Sequence, residues 1–343
     1  MKTLFIGPLG GGKIPNTGAS VKNYHLVDKL KTQLPELVCI DTHNWKRNPF
    51  VIFKIISKII LKNNLRVILS LSSDSANKLI KLINKISPTA EIIYWVIGGV
   101  MAKWLKEGKY EVKDYSKIKH IFVEGYSMKV DMESLGLTNV TVIPNFKVIP
   151  DIKCSRINKD KIIKFVFLSR IIPEKGCDKI LDAVKILNDQ GYSNKFKVDF
   201  YGTIDTTYDT TFRNRINDLS NVSYKGFLDL RINDNYKVLQ EYDIMLFPTY
   251  WKGEGCPGII IDAYIASLPV IASDWNLNSD YVQNNYNGII LKNNDPDSLA
   301  RHMLNFLERR YDLNQFKRNA KSSTDIFNID NVLSKSFLES ILN

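Results

Sequence analysis

The 343 residues include only four cysteines, Cys39, Cys154, Cys177 and Cys256, far apart and without a C-x-x-C pair. That spacing excludes a secreted disulfide framework and a zinc cage, and it fits a reducing cytosol. No uncharged apolar run reaches the length of a membrane span. The opening Lys2-Thr3-Leu4-Phe5-Ile6 is too short, and too soon followed by glycines, for a signal peptide, so a cytoplasmic chain is expected. There is no repeat of solenoid period, no low-complexity tail and no paired-carboxylate constellation of the kind that hydrolyses glycosides. The one D-x-D match, Asp295-Pro296-Asp297, falls where a turn and a helix cap account for it.

What is present is ordinary globular material, 44% hydrophobic and 24% charged, of a length more comfortable as two domains than one. The net charge of +11 is unevenly spread. Residues 1–150 hold 22 lysines and arginines against 11 acidic residues, whereas residues 151–343 hold 25 of each. A positive field of that kind draws nucleic acid, anionic lipid or phosphorylated small molecules, and charge alone does not choose among them.

Short β-branched runs alternate with helical stretches. In the first half, strands are expected near Thr3–Gly7, Leu37–Asp41, Val67–Ser72, Glu91–Ile97, His120–Glu124 and Thr141–Ile143. In the second they are expected at Lys164–Ser169, Lys197–Gly202, Asn221–Tyr224, Asp243–Pro248, Val270–Ala272 and Gly288–Leu291. Strict alternation implies right-handed crossovers and parallel sheets covered on both faces. The fold class is therefore α/β, with two Rossmann-like doubly wound domains, 1–150 and 151–325, facing a central cleft. A C-terminal helical segment, 326–343, is free to pack back on either domain and is assigned to the N-terminal one. Chemistry is sought just beyond the carboxyl ends of the strands.

Gly7-Pro8-Leu9-Gly10-Gly11-Gly12-Lys13 follows a strand and satisfies G-x-x-x-x-G-K, but Ile14 stands where a nucleoside-triphosphate loop needs Ser or Thr for Mg²⁺. That reading is set aside. The next helix is expected to begin at Gly18-Ala19-Ser20, after a loop that either makes a tight turn or offers amides to a phosphate.

In the second half, Phe165–Ser169 leads into Arg170-Ile171-Ile172-Pro173-Glu174-Lys175-Gly176 and then a helix. Cations before a helix N-terminus are unfavourable unless an anion sits between them. A diphosphate would answer the conflict, with Arg170 forking onto oxygens and Lys175 acting as a point charge. Two solvated surface cations are the alternative. Pro248–Tyr264 joins a loop carboxylate, Glu254, to a helix start at Gly255-Cys256-Pro257-Gly258-Ile259 whose first amides have no intrahelical acceptor. Asp262 lies in the apolar run Ile259–Ala266, where a carboxylate needs hydroxyls or a cation. Ribose hydroxyls would serve.

The ordered set Ser169-Arg170-x-x-Pro173-Glu174-Lys175-Gly176, Glu254 with Asp262, Ala263–Ser273 and Val142-Ile143-Pro144-Asn145 resembles the retaining nucleotide-sugar glycosyltransferases of family four, with the GT-B fold. The resemblance covers nearly the whole chain. It implies that Arg170 and Lys175 bind the donor diphosphate, that Glu254 contacts the donor sugar and that Asp262 stands where a Glu usually holds the ribose. Gly18 would approach the donor from across the cleft, and Gly202 and Phe227 complete the donor-binding set with Gly255, Cys256, Pro257, Gly258 and Ile259. Many relatives carry a His after the fourth strand; here Gly98 and Gly99 stand there, and they either admit the sugar by close backbone approach or only end the strand. The mechanism implied is retaining, with a phosphate oxygen taking the acceptor proton. No cofactor is expected beyond a UDP- or GDP-linked donor sugar, and no metal.

Lys54, Lys58 and Lys62 fall on one helical stripe among isoleucines, and Lys78, Lys81 and Lys85 recur on the next helix. Each stripe reads either as a solvated edge or as a membrane-facing patch; the excess charge of the whole domain favours the membrane. The expected partners are thus a nucleotide sugar, a glycan or lipid-linked acceptor and an anionic inner membrane face. Nucleic acid is not expected, since aromatic residues do not interleave with the basic stripes. An ATP enzyme of the nucleoside-triphosphate-loop kind and a non-catalytic subunit of the same fold are the competing readings.

Overall fold

A computed structural model of the chain describes residues 1–15, 17–48, 50–60, 64–153 and 162–342. The chain forms two compact units, Met1–Val148 with the segment from Phe327 onward, and Ile149–Ile326. In the first unit the strands are β1 (Lys2–Gly7), β2 (Val38–Asp41), β3 (Leu65–Ser72), β4 (Glu91–Ile97), β5 (His120–Val123) and β6 (Val140–Val142). In the second they are β7 (Ile163–Leu168), β8 (Phe196–Tyr201), β9 (Val222–Tyr224), β10 (Ile244–Phe247), β11 (Val270–Ser273) and β12 (Gly288–Leu291). The α/β class and the two parallel sheets are as expected from the alternation.

Each unit holds one six-stranded sheet, in the orders β2-β1-β3-β4-β5-β6 and β12-β11-β10-β7-β8-β9. Neighbouring strands pair in parallel, for example Phe5 with Ile68 and Phe165 with Val198. Strands buried on both faces read as continuous apolar runs, and β10 is buried along its whole length, Ile-Met-Leu-Phe. In the second sheet the chain moves outward one way from β7 through β8 to β9, then returns to the other side of β7 as β10. That reversal puts a switch point between β7 and β10, where the loops leaving the two strands diverge. The first sheet has its switch point between β1 and β3.

The segment from Phe327 returns to the first unit. Lys147 N–H donates to Phe327 O at 3.0 Å and Ile329 N–H to Lys147 O at 2.9 Å. Ile329, Leu333, Leu338 and Ile341 are buried in the same core as Phe5, Leu26, Ile68 and Phe122. Helix Lys335–Leu342 packs on helix Gly18–Gln33, and Lys29 pairs with Asp330. Burying four large aliphatic side chains contributes at most about 6–12 kcal/mol to that unit. Asp295 caps helix Pro296–Leu307, accepting from Ser298 N–H at 2.6 Å, which accounts for the D-x-D match. Among the described residues no helix is long and apolar enough to cross a membrane.

Candidate active site

The segments that follow β7 and β10 flank the switch point of the second sheet, and Gly176 lets them approach each other closely. After β7 the chain makes a short 3-10 turn, Pro173–Lys175, and enters helix Cys177–Asp189 through Gly176 at φ 86°. A Cβ on Gly176 would lie 2.3 Å from the carbonyl oxygen of Pro248, the residue after β10. Gly202, at φ 144°, is tighter still, since a Cβ there would lie 1.7 Å from the Ser169 carbonyl oxygen. Only glycine permits these approaches. Gly202 therefore has a packing role in the second unit, pinning the end of β8 to the Ser169-Arg170 turn.

This packing buries Lys175 and Glu254, at 7% and 8% exposure. Lys175 Nζ donates to Glu254 Oε2 at 2.5 Å, and the Thr249 hydroxyl donates to the same oxygen at 3.1 Å. Thr249 is itself fixed by Trp251 N–H, 3.2 Å from its hydroxyl, and by Ser273, whose hydroxyl donates to Thr249 O at 2.6 Å. Asn276 Nδ2 donates to Glu254 O at 2.9 Å. The electrostatic conflict of a cation before a helix N-terminus is thus answered for Lys175 within the chain. It is not a solvated surface cation. Arg170 is exposed, with its guanidinium 5.2 Å from the centre of the Trp251 ring, close enough for a cation–π contact.

Gly255, Cys256, Gly258 and Ile259 are half-buried and Pro257 is buried, at the start of helix Gly258–Ile265. Asp262 lies inside that helix at 5% exposure and accepts from the Tyr236 hydroxyl at 2.5 Å. The buried carboxylate therefore has a hydroxyl partner from the chain itself. Burial first, and then the Asp262 charge, push the Tyr236 phenol well above its ordinary value. Phe227 is 65% exposed on the loop after β9. Thr249, Trp251, Tyr236 and Asn276 were not singled out from sequence. Lys179 was also missed; its ammonium donates to Asn294 O at 2.6 Å and lies 4.5 Å from the centre of the Tyr250 ring. The position of Thr249, two residues past a strand end at the switch point, was the available signal.

In the first unit Gly18 opens helix Gly18–Gln33, capped by Thr17 in a reciprocal arrangement with Ser20. Gly98, at φ 93°, and Gly99 follow β4 and are half-buried. The glycine-rich loop closes on Asp41 at the end of β2. Its Oδ1 accepts from Leu9 N–H at 2.8 Å and its Oδ2 from Gly11 N–H at 2.6 Å. Amides that would cradle a phosphate are given to an internal carboxylate, which removes the structural basis of the ATP-enzyme reading. A pocket of about 410 Å³ lies beside this loop, with Lys13, Tyr24, Lys31 and Asp41 in its wall. Lys22 Nζ and Glu124 Oε1 form a buried pair at 2.5 Å in the same unit.

Of the basic stripes, Lys54, Lys78 and Lys85 are exposed and Lys58 is half-buried. Lys81 is paired with Glu111 at 3.3 Å and Asp114 at 3.7 Å. Lys62 and Cys154 lie outside the described residues. Among the described residues no group of three or more His, Cys, Asp or Glu side chains is placed to hold a metal ion.

A family model for glycosyl transferases group 1 matches residues 150–323. The chain belongs to that family. The matched span contains Arg170, Lys175, Gly202, Phe227, Glu254 and Asp262, so the group 1 glycosyl transferase signature and the packed switch point coincide. Among relatives, the poly(ribitol-phosphate) alpha-N-acetylglucosaminyltransferase of Staphylococcus aureus (strain COL) is 23% identical over 239 residues, covering 69% of this chain and 45% of that protein. The UDP-Gal:alpha-D-GlcNAc-diphosphoundecaprenol alpha-1,3-galactosyltransferase of Escherichia coli is 31% identical over 90 residues, 26% of this chain and 22% of that protein. The chain thus spans less than half the length of these curated relatives. The solved apo form of the lipopolysaccharide outer core galactosyltransferase WaaB superposes over 100% of this chain and 99% of its own, with TM-score 0.75 at 14% identity. The fold is that of the GT-B glycosyltransferases.

Proposed function

We propose that this group 1 glycosyl transferase moves a sugar from a nucleotide diphosphate to a glycan acceptor in the synthesis of a cell-surface polysaccharide or glycoconjugate. The observation that carries the reading is the buried Lys175–Glu254 pair beside exposed Arg170 at the switch point of the second sheet. A diphosphate seated there would take Lys175 as its counter-ion and Arg170 as a fork, stabilising the charge that builds as the sugar leaves. Glu254, released from part of its contact with Lys175, would accept hydrogen bonds from sugar hydroxyls. Asp262 with Tyr236 would meet the ribose, directly or through water, and Gly255–Ile259 would offer backbone amides. By the family resemblance, Gly18, Gly98 and Gly99 are proposed as further donor contacts.

The donor is UDP- or GDP-linked in this reading; the E. coli relative's name specifies UDP-Gal, and both curated relatives are named for alpha transfer. An alpha bond made from an alpha-linked nucleotide sugar keeps its configuration, which supports retention. Because Arg170 and Lys175 supply positive charge for the leaving diphosphate, no metal is required in this scheme. The acceptor is assigned to the first unit, where the pocket beside Asp41 is available, and is lipid-linked, as in the diphosphoundecaprenol named for the E. coli relative. The excess lysines of the first unit would hold the enzyme on the inner face of the membrane.

Turnover or slow hydrolysis of a panel of UDP- and GDP-sugars, with and without chelator, tests this. Arg170→Ala should lower kcat/KM by about 10²-fold with little change in Tm, because the side chain is exposed. Nucleotide-sugar binding without turnover of any donor would favour a non-catalytic subunit. Complete loss with chelator, restored by Mg²⁺ or Mn²⁺, would overturn metal independence.

A further inference from the structure

Helix Phe50–Ile60 carries the sequence Phe-Val-Ile-Phe-Lys-Ile-Ile-Ser-Lys-Ile-Ile. Its two lysines, four residues apart, suggest that solvent should see a cationic edge and the core should take the rest. The packing divides the helix differently. Ile55 and Ile59, one turn apart, are buried in the first unit, while Phe50, Phe53 and Ile60 are 76%, 68% and 60% exposed. Positions 50, 53, 57 and 60 lie at helical spacing along one stripe, and Lys54 and Lys58 flank it. The outward face is therefore part apolar and part cationic, with no acidic residue anywhere on the helix. Lys78 and Lys85 are exposed on helix Ser73–Ile86, which packs against this one.

Two phenylalanines and an isoleucine left in water on three turns of helix are unfavourable for a purely aqueous protein. Each large apolar side chain gains free energy on transfer out of water, and lysines at the rim of such a face extend their ammonium groups toward lipid phosphates. At eleven residues the helix is too short to cross a bilayer and suited to lie in its surface. We propose that this helix is the element that inserts into an anionic lipid surface, with Phe50, Phe53 and Ile60 entering the acyl boundary and Lys54 and Lys58 at the headgroups. The inference rests on the reading that the first unit meets a membrane, and adds to it an apolar component that charge does not supply.

Partition of the full chain onto vesicles of phosphatidylcholine alone, or mixed with phosphatidylglycerol, separates the two ideas. The Phe50→Ser/Phe53→Ser variant should lose on the order of ten-fold in partition onto mixed vesicles, at low and at high salt alike. Lys54→Gln/Lys58→Gln should lose binding at low salt and match the wild type at high salt. Unchanged Tm in both variants, expected because Phe50, Phe53 and Lys54 are exposed and Lys58 is only half-buried, assigns the loss to binding. Wild-type binding that survives Phe50→Ser/Phe53→Ser but not loss of the lysines would overturn insertion and leave the membrane reading standing. Failure of the wild type to bind either vesicle would overturn both. A dimer in solution that the phenylalanine variant dissolves would also overturn insertion, by assigning the face to a second copy.

Discussion

Removing one charge from the Lys175–Glu254 pair has a cost that the geometry sets. Both side chains are buried, and Nζ and Oε2 are 2.5 Å apart. Glu254→Gln leaves an ammonium ion in a place arranged for a carboxylate, and Lys175→Met leaves a carboxylate with the Thr249 hydroxyl in place of a cation. A buried ion stripped of its partner costs about 3–5 kcal/mol. For a unit of this size that lowers Tm by on the order of 10 °C. The double variant Lys175→Met/Glu254→Gln carries neither charge and should regain most of the loss, because the desolvation of a buried pair roughly cancels its attraction. The coupling in the cycle, the two single losses less that of the double, should then exceed about 3 kcal/mol. Donor turnover should follow another course, falling in each single variant and staying low in the double, since both groups are proposed to meet the donor. Calorimetry reads the stability, with the second unit's transition identified as the one that UDP shifts upward, and product formation reads the chemistry. Single variants within about 0.5 kcal/mol of the wild type, adding without coupling in the double, would refute a desolvated pair and with it the reasoning about Lys175.

Gly202→Ala places a Cβ 1.7 Å from the Ser169 carbonyl oxygen at φ 144°, so it should cost more than about 3 kcal/mol in urea unfolding and raise the donor KM by shifting Arg170. Gly12→Ala, with nothing within 4 Å of the added atom, should cost only about 1 kcal/mol and serves as its control. Tyr236→Phe removes the hydroxyl that Asp262 accepts at 2.5 Å, for a loss of about 1–3 kcal/mol. The Tyr236 phenol is raised in the folded chain, so its contribution is present below pH 10 and lost as pH rises beyond, and the phenylalanine variant should lack that part of the alkaline decline. His25, His120 and His302 are each lowered, first by burial. The unfolded chain therefore takes up these protons first, and stability should fall as pH drops below 6.5, with a shallower fall in His302→Gln.

How much of this could be read from residues depends on whether one segment or two decide the outcome. The strands were legible because buried parallel strands are continuous apolar runs, and Phe165–Leu168 and Ile244–Phe247 end where polar residues resume. Arg170, Lys175 and Glu254 were visible as charges placed just past strand ends. That Lys175 and Glu254 would pair with each other was not, since they are 79 positions apart and meet through the fit of Gly176 against Pro248. Tyr236 as the partner of Asp262 was hidden for the same reason. Helix Phe50–Ile60 posed the opposite difficulty. Its local pattern is clear, but apolar residues occur all round it, and tertiary packing chose Ile55 and Ile59 for the core over the phenylalanines.

The two units show how one topology can be committed to different ends. Each sheet reverses its strand order once, and a parallel sheet offers loop amides and helix N-termini beyond the carboxyl ends of the strands at that point. In the first unit the loop after β1 spends Leu9 and Gly11 amides on Asp41, while Asn23 Nδ2 ties Pro8 O and Ser70 O together at 3.1 Å across β1 and β3. A phosphate there would have to displace a carboxylate already hydrogen-bonded at close to ideal distances. In the second unit the Lys175–Glu254 pair is internally neutral, whereas Arg170 extends toward solvent over Trp251. In the proposed scheme an incoming diphosphate would meet an exposed cation, Arg170, and would need only to share Lys175 with Glu254. In that scheme the difference in displacement cost, rather than the count of glycines in either loop, would direct the donor to the second unit.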